Sequence, residues 1–145
     1  MSWNEYVRAV VRIELADGLV QIAPAPPGRA DGTFPDVPDH VLYVVTAFNP
    51  GGVVRPERGN RQAHAALIRR LEADQVTSWE AAGGDPGWTH TEASFALVGV
   101  DQAYAKALGR DFGQDAIFEW TPTELCVLAC DSERRSMAGW IMTAV

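Results

Sequence analysis

The sequence is poor in cysteine, in long apolar runs and, outside the arginine-rich run from Arg55 to Arg70, in clustered positive charge. No stretch approaches the ~18 apolar residues that a membrane span needs, and residues 1–18 lack the basic region and uninterrupted apolar segment of a signal peptide. The 12 basic residues are outnumbered by 19 acidic ones, and the net charge of −7 disfavours binding to a phosphate backbone. We therefore expect an acidic, soluble, cytoplasmic protein that binds neither nucleic acid nor membranes.

The two cysteines, Cys126 and Cys130, lie in "ELCVLAC", which we interpret as a strand. Four residues of strand span ~13 Å, whereas the Cα atoms of a disulfide lie within ~7 Å of each other. A structural zinc site needs four ligands, and the sequence has no second cysteine pair. We expect two reduced, mostly buried thiols, with no metal site.

The length of 145 residues predicts one domain, residues 1–145, because a chain of this size buries roughly 68% of its unfolded surface around one core. Residues 24–40 contain five prolines and two glycines, which exclude a helix or a central strand. We interpret them as a Pro-rich surface loop. A loop this long is usually either functional or disordered, and both alternatives stay open.

The apolar pattern predicts the order β-β-β-α-β-α-β-β-β. Near-alternation from Tyr6 to Leu15 and a turn at Asp17-Gly18 predict an opening hairpin, and the apolar run Val41–Phe48 predicts a strand covered on both faces. We interpret "SWEAAGGDPGW" as turns. The predicted fold is α+β, a single-layer, mixed or mainly antiparallel sheet of about six strands with two main helices packed on one face.

The first main helix, "NRQAHAALIRRLEADQ", carries polar residues at the start of its inward stripe. Asn60 and His64 occupy this N-terminal part, and Leu67 and Leu71 continue it. We expect Asn60 and His64 to face the end of the strand Val41–Phe48.

Four ordered segments resemble a bacterial family, the domain of unknown function numbered 3293. They are "VLYVVTAFNPGG", "RGNRQAHAALIRRLEA", "HTEASFALVGVD" and "ALGRDFGQDAIFEW", which together cover about residues 41–120. Asp115 departs from the neutral polar residue expected there. The resemblance implies no activity, but it points to six residues: Thr46, Asn49, Asn60, Glu92, Ser94 and Gln114.

Glu92 is the most informative candidate, because a carboxylate in a largely covered strand is costly unless it is paired or functional. Paired with Arg61 or His64, it would form a structural ion pair. In an open cleft with His64 and Gln114, it could act as a general base or a ligand anchor. Asn49, which precedes Pro50, also has a purely structural interpretation: its side chain could fix the turn by bonding nearby backbone groups.

The sequence is therefore consistent with two functions. The first is binding of a small molecule or a partner protein through a polar pocket of Thr46, Asn49, Asn60, Arg61, Ser94 and Gln114. The alternative is a cofactor-independent enzyme, of hydrolase or isomerase type, with Glu92 as general acid/base and His64 as its partner. Neither needs a cofactor or a metal. The oligomeric state stays open, and a homodimer is one alternative.

Overall fold

The computed structural model describes residues 1–145 and contains three α-helices and nine strands. The helices are α1 (Trp3–Arg8), α2 (Glu57–Ala73) and α3 (Gln102–Asp111). The strands are β1 (Val10–Leu15), β2 (Gly18–Ala25), β3 (Ala30–Asp31), β4 (Leu42–Thr46), β5 (Thr77–Gly84), β6 (Thr91–Val98), β7 (Ala116–Trp120), β8 (Leu125–Ala129) and β9 (Arg135–Ala144). Short 3₁₀ turns lie at Pro38–His40 and Pro50–Gly52. No helix combines the length and apolar character that crossing a membrane requires.

Eight of the strands form a closed antiparallel barrel, so the predicted single-layer α+β sheet is wrong. The strands follow the order β2-β1-β5-β6-β4-β7-β8-β9, and β9 pairs back onto β2 from Val20 opposite Ala144 to Ala25 opposite Gly139. β3 adds a short parallel pairing to β9. The closing strands lie more than 110 residues apart in the chain, so no local pattern indicates their contact.

The barrel has two apolar cores, one inside it and one between its outer surface and the helices. Seven barrel strands contribute buried residues to the inner cluster, among them Trp120 and Trp140, and β5 adds the partly buried Trp79 and Ala81. The outer cluster joins Leu67 and Leu71 of α2 and Leu108 of α3 to outward-facing strand residues. Successive side chains of β4 point alternately into the inner and the outer core. Both faces of the strand are therefore buried, which explains why the segment is apolar almost throughout.

Two local predictions also need correction. Residues 6–8, predicted as the start of the first strand, belong instead to α1, because Ser2 and Glu5 make a capping box that satisfies the first N–H groups of the helix. Residues 77–84 form β5 instead of turns. Gly84, the last residue of this strand, has no space for a side chain, because a Cβ there would lie 2.9 Å from the ring of Trp88.

The Pro-rich segment 24–40 contributes to the inner core. Its first two residues end β2, residues 30 and 31 form β3, and Val37 is only 5% exposed. Phe34 packs edge-on against Trp120, with ring centroids 4.7 Å apart. The segment therefore covers the end of the barrel at which β7 ends. The two cysteines are free and buried, as the strand spacing predicts.

Val37→Ala is expected to lower the free energy of unfolding by about 2 kcal/mol, because two buried methyl groups are lost and a small cavity forms. The matched control is Val54→Ala, at a side chain that is 85% exposed, where a change within about 0.5 kcal/mol is expected. Urea denaturation measures both. Equal effects at the two positions would contradict the assignment of Val37 to the core.

Candidate functional site

Asn49 lies at the mouth of the barrel, the end at which β4 ends and β6 begins. Its backbone is left-handed, with φ 47° and ψ 59°, a conformation that Asn tolerates better than most residues. It directly precedes the 3₁₀ turn Pro50–Gly52. The chain therefore leaves β4 with a sharp change of direction at Asn49.

The side chain of Asn49 joins three segments of the chain. Its Nδ2 donates to Oε2 of Glu92 at 3.0 Å, and its Oδ1 accepts from the backbone N–H of Arg55 at 2.9 Å. Asn60 completes the arrangement, since its Nδ2 donates to Oδ1 of Asn49 at 2.8 Å and its Oδ1 accepts the Asn49 backbone N–H at 2.9 Å. The reciprocal Asn49–Asn60 pair fixes the start of α2 to the end of β4. The expectation that Asn60 faces this strand end is confirmed.

The other polar candidates at the mouth satisfy the backbone around Asn49. Thr46 Oγ1 donates to the Ala93 carbonyl at 2.7 Å and accepts the Phe48 N–H at 3.0 Å. Ser94 Oγ donates to the Glu92 carbonyl at 2.9 Å. Gln114 Nε2 donates to the carbonyls of Phe48 and Phe112, at 3.0 and 3.2 Å. Together with Asn49, Asn60 and Glu92, these residues form what we term the mouth cluster.

Glu92 is buried without an ion pair. Its side chain is on the same face of β6 as Ala96, which belongs to the inner core, and the residue is 7% exposed. Burial raises the pKa of Glu92, and the hydrogen bond from Asn49 offsets only part of this increase. Arg61, one of the two partners considered from the sequence, pairs instead with Glu57 on the exposed face of α2, at 3.2 Å. The buried Glu92–Arg61 pair therefore does not form.

His64 contacts the face of β6 opposite to the one that carries Glu92. Its ring stacks on Phe95 of the outer core, with centroids 4.9 Å apart and planes 10° apart, and Phe48 packs edge-on at 6.0 Å. Burial lowers the pKa of His64, and Nδ1 has no hydrogen-bond partner. No hydrogen bond joins His64 to Glu92 or Gln114, so the structure does not bring the expected acid/base pair into direct contact.

A second buried carboxylate, Glu119, escaped the sequence interpretation. It is 8% exposed and accepts from the Tyr43 hydroxyl at 2.9 Å and from Gln102 Nε2 at 3.1 Å, and Arg135 lies 3.5 Å away. Burial and the bond to Glu119 raise the pKa of Tyr43. The sequence signal that could have revealed this buried carboxylate is a glutamate inside the apolar strand "AIFEW". Its contacts join α3 to the outer surface of the barrel and link β7 with β9.

Two surface grooves lie away from the mouth cluster. One, of about 320 Å³, runs between α3 and the β8–β9 turn and is lined by Lys106, Arg110, Cys130, Asp131, Ser132 and Glu133. The other, of about 490 Å³, lies between the end of α2 and the start of α3 and is lined by residues 74–77, 98–101 and 104. No three His, Cys, Asp or Glu side chains are grouped so as to hold a metal ion.

A family model described as "Protein of unknown function (DUF3293)" matches residues 45–117, just over half of the chain. The chain belongs to this family. The segment that matches the DUF3293 model runs from β4 into β7 and contains the whole mouth cluster. No curated protein and no solved structure matches the chain. Membership in DUF3293 therefore identifies the family without assigning an activity.

Asn49→Asp is expected to destabilise the protein by about 2–4 kcal/mol at pH 7.5, because it removes a donor and places a carboxylate beside Glu92. Thermal and urea denaturation measure the loss. In the double variant with Glu92→Gln, a donor is restored and most of the loss should disappear. Equal destabilisation with Glu or Gln at position 92 would contradict the contact.

Glu92→Gln alone is the control for this cycle. Because the pKa of Glu92 is raised in the folded state, wild-type stability falls as pH rises from the ordinary carboxyl pKa of 4.5 through the raised value. Gln cannot ionise but still accepts from Asn49. The single variant should therefore be at least as stable as wild type at pH 7.5.

His64→Leu should reduce the loss of stability on acidification. The unfolded chain protonates its histidine near 6.5 whereas the folded chain does so only at lower pH, so wild-type stability falls as pH drops through this range. Denaturation at several pH values between about 7 and 5.5 measures the slope. An unchanged slope in the variant would show that His64 is readily protonated in the folded protein.

Proposed function

We propose that this DUF3293 protein is a binding module that contacts a partner protein through residues 50–56, the loop between β4 and α2. The supporting observation is that the half-buried side chain of Asn49 anchors a loop whose apolar tip is in water. Asn49 holds the loop at its far end through the Arg55 N–H, while Val53 and Val54 are 67% and 85% exposed. We term residues 50–56 the 50–56 loop.

The loop is anchored at its near end as well. The Gly51 N–H donates to the Gly113 carbonyl at 2.8 Å, and the Val53 N–H donates to the Pro50 carbonyl. Pro50 packs so closely on Gly113 that a Cβ there would lie 2.7 Å away. A loop fixed at both ends loses little conformational entropy on binding, and such preorganisation increases affinity.

The hydrogen bonding at the mouth favours a protein partner over a small molecule. Small-molecule sites are concave and keep a few polar groups for the ligand. In the mouth cluster, Asn49, Asn60 and Gln114 already use their side chains to bond protein groups. The feature presented to solvent is instead a protruding pair of valines, which suits contact with a second protein surface.

The enzymatic alternative has one supporting observation, the raised pKa of buried Glu92. A general acid or base also needs a partner that positions or relays the proton. His64, the expected partner, stacks on the outer core and makes no hydrogen bond to Glu92. The geometry therefore supports the binding function better.

The binding function predicts that a photoreactive amino acid at position 54 will crosslink to a specific protein in the native host cells. The same residue at position 145 is the matched control, because Val145 is also apolar and 58% exposed but follows β9 at the opposite end of the barrel. The crosslinked protein, once identified by mass spectrometry, is purified and its dissociation constant measured.

A second variant tests the role of the anchor. Asn49→Gly keeps the left-handed backbone accessible but removes the side chain that holds Arg55. Crosslinking from position 54 and affinity for the purified partner should both decrease. The proposal is wrong if positions 54 and 145 give the same adducts, or if the identified protein does not bind in purified form.

A further inference from the structure

The apolar tip of the 50–56 loop is followed in the chain by an excess of positive charge. Residues 53–61 hold three arginines and one glutamate, a local excess of two positive charges in a chain whose net charge is −7. We infer that the partner docks an acidic segment with apolar side chains onto Val53, Val54, Arg55 and Arg58. This inference rests on the proposed function and specifies the chemistry of the partner.

Arg55 and Arg58 are available to a partner. Both are exposed, and neither has a carboxylate oxygen within 4.0 Å, whereas Arg61 is already paired with Glu57. The backbone of Arg55 is also held in position, since its N–H donates to Asn49 Oδ1 at 2.9 Å. The loop therefore presents two unpaired guanidinium groups beside its two valines.

The start of α2 adds to the positive potential. Pro56 precedes the helix and provides no side-chain cap for its first turn. The positive end of the helix dipole therefore lies next to Arg55 and Arg58, and Glu57, the acidic residue of the first turn, is paired with Arg61 at 3.2 Å. Acidic side chains are the complementary groups, and guanidinium groups bind carboxylates through paired hydrogen bonds.

The valines distinguish this partner from other polyanions. A nucleic acid would contact the arginines but would leave Val53 and Val54 in water, and the acidic remainder of the chain would repel it. A purely apolar partner would bury guanidinium groups without counter-charges. A segment that alternates acidic and apolar side chains can pair its carboxylates with Arg55 and Arg58 and bury its apolar side chains against Val53 and Val54.

A peptide selection tests the inference directly. Random 12-residue peptides are displayed on phage, selected on the full-length protein and counter-selected on the Val53→Ser/Val54→Ser variant, so that loop-dependent binders remain. Circular dichroism confirms that the counter-selection variant is folded. Selected peptides should be enriched in Asp or Glu together with Leu, Ile, Val or Phe.

Charge-reversal variants then locate the contact. Arg55→Glu/Arg58→Glu should weaken binding of a selected peptide about tenfold or more, by fluorescence anisotropy, and binding should weaken as salt is raised. Arg69→Glu is the control, because Arg69 is exposed on the same helix and has no ion pair; its effect should stay within about twofold. A short DNA duplex should not compete.

The outcomes separate this inference from the function on which it rests. Loop-dependent peptides that are basic or uncharged would overturn the acidic assignment but leave partner binding intact. The inference also fails if no loop-dependent peptide is selected, if Arg69→Glu weakens binding as much as the double variant, or if DNA competes. Absence of a position-specific crosslink at residue 54 would instead overturn the binding function itself.

Discussion

Pairing of β2 with β9 is the constraint on which the rest of the structure depends. It closes the sheet, gives the protein an interior for Trp120 and Trp140, and leaves the outer surface for α2 and α3. Closure also sets the positions of the strand ends. The end of β4 and the start of β6 meet at one mouth of the barrel, where residues distant in sequence can share hydrogen bonds.

At that mouth, buried and half-buried polar side chains connect separate segments of the chain. Asn49 bonds with a strand, a helix and a loop, and Asn60 and Gln114 satisfy backbone groups that the change of direction after β4 would otherwise leave without partners. Buried polar groups are costly unless they are hydrogen-bonded, so such a network determines one geometry. This single geometry is what places Val53 and Val54 in solvent.

Sequence reasoning was most accurate where a local pattern carries the information. The helical stripe placed Asn60 correctly, and a carboxylate in an apolar strand singled out Glu92. His64 was misplaced relative to Glu92 because a stripe gives the side of a helix but not which face of the sheet lies below it.

α1 was missed because apolar alternation outweighed the capping residues Ser2 and Glu5. β5 was missed because Gly83 and Gly84 are typical of turns, and the close packing of Gly84 against Trp88 is visible only in the folded protein. Closure of the barrel arises from a pairing between distant strands and could not be predicted locally.

Closure also restricts how other chains can associate with this protein. Each barrel strand is hydrogen-bonded on both sides, so the backbone offers an incoming peptide almost no strand edge; the two residues of β3 are the exception. Strand addition, a common route both to peptide recognition and to aggregation, is therefore largely unavailable. Recognition must rely on side chains projecting from loops and helices, and its specificity can change by substitution there without altering the backbone ladder.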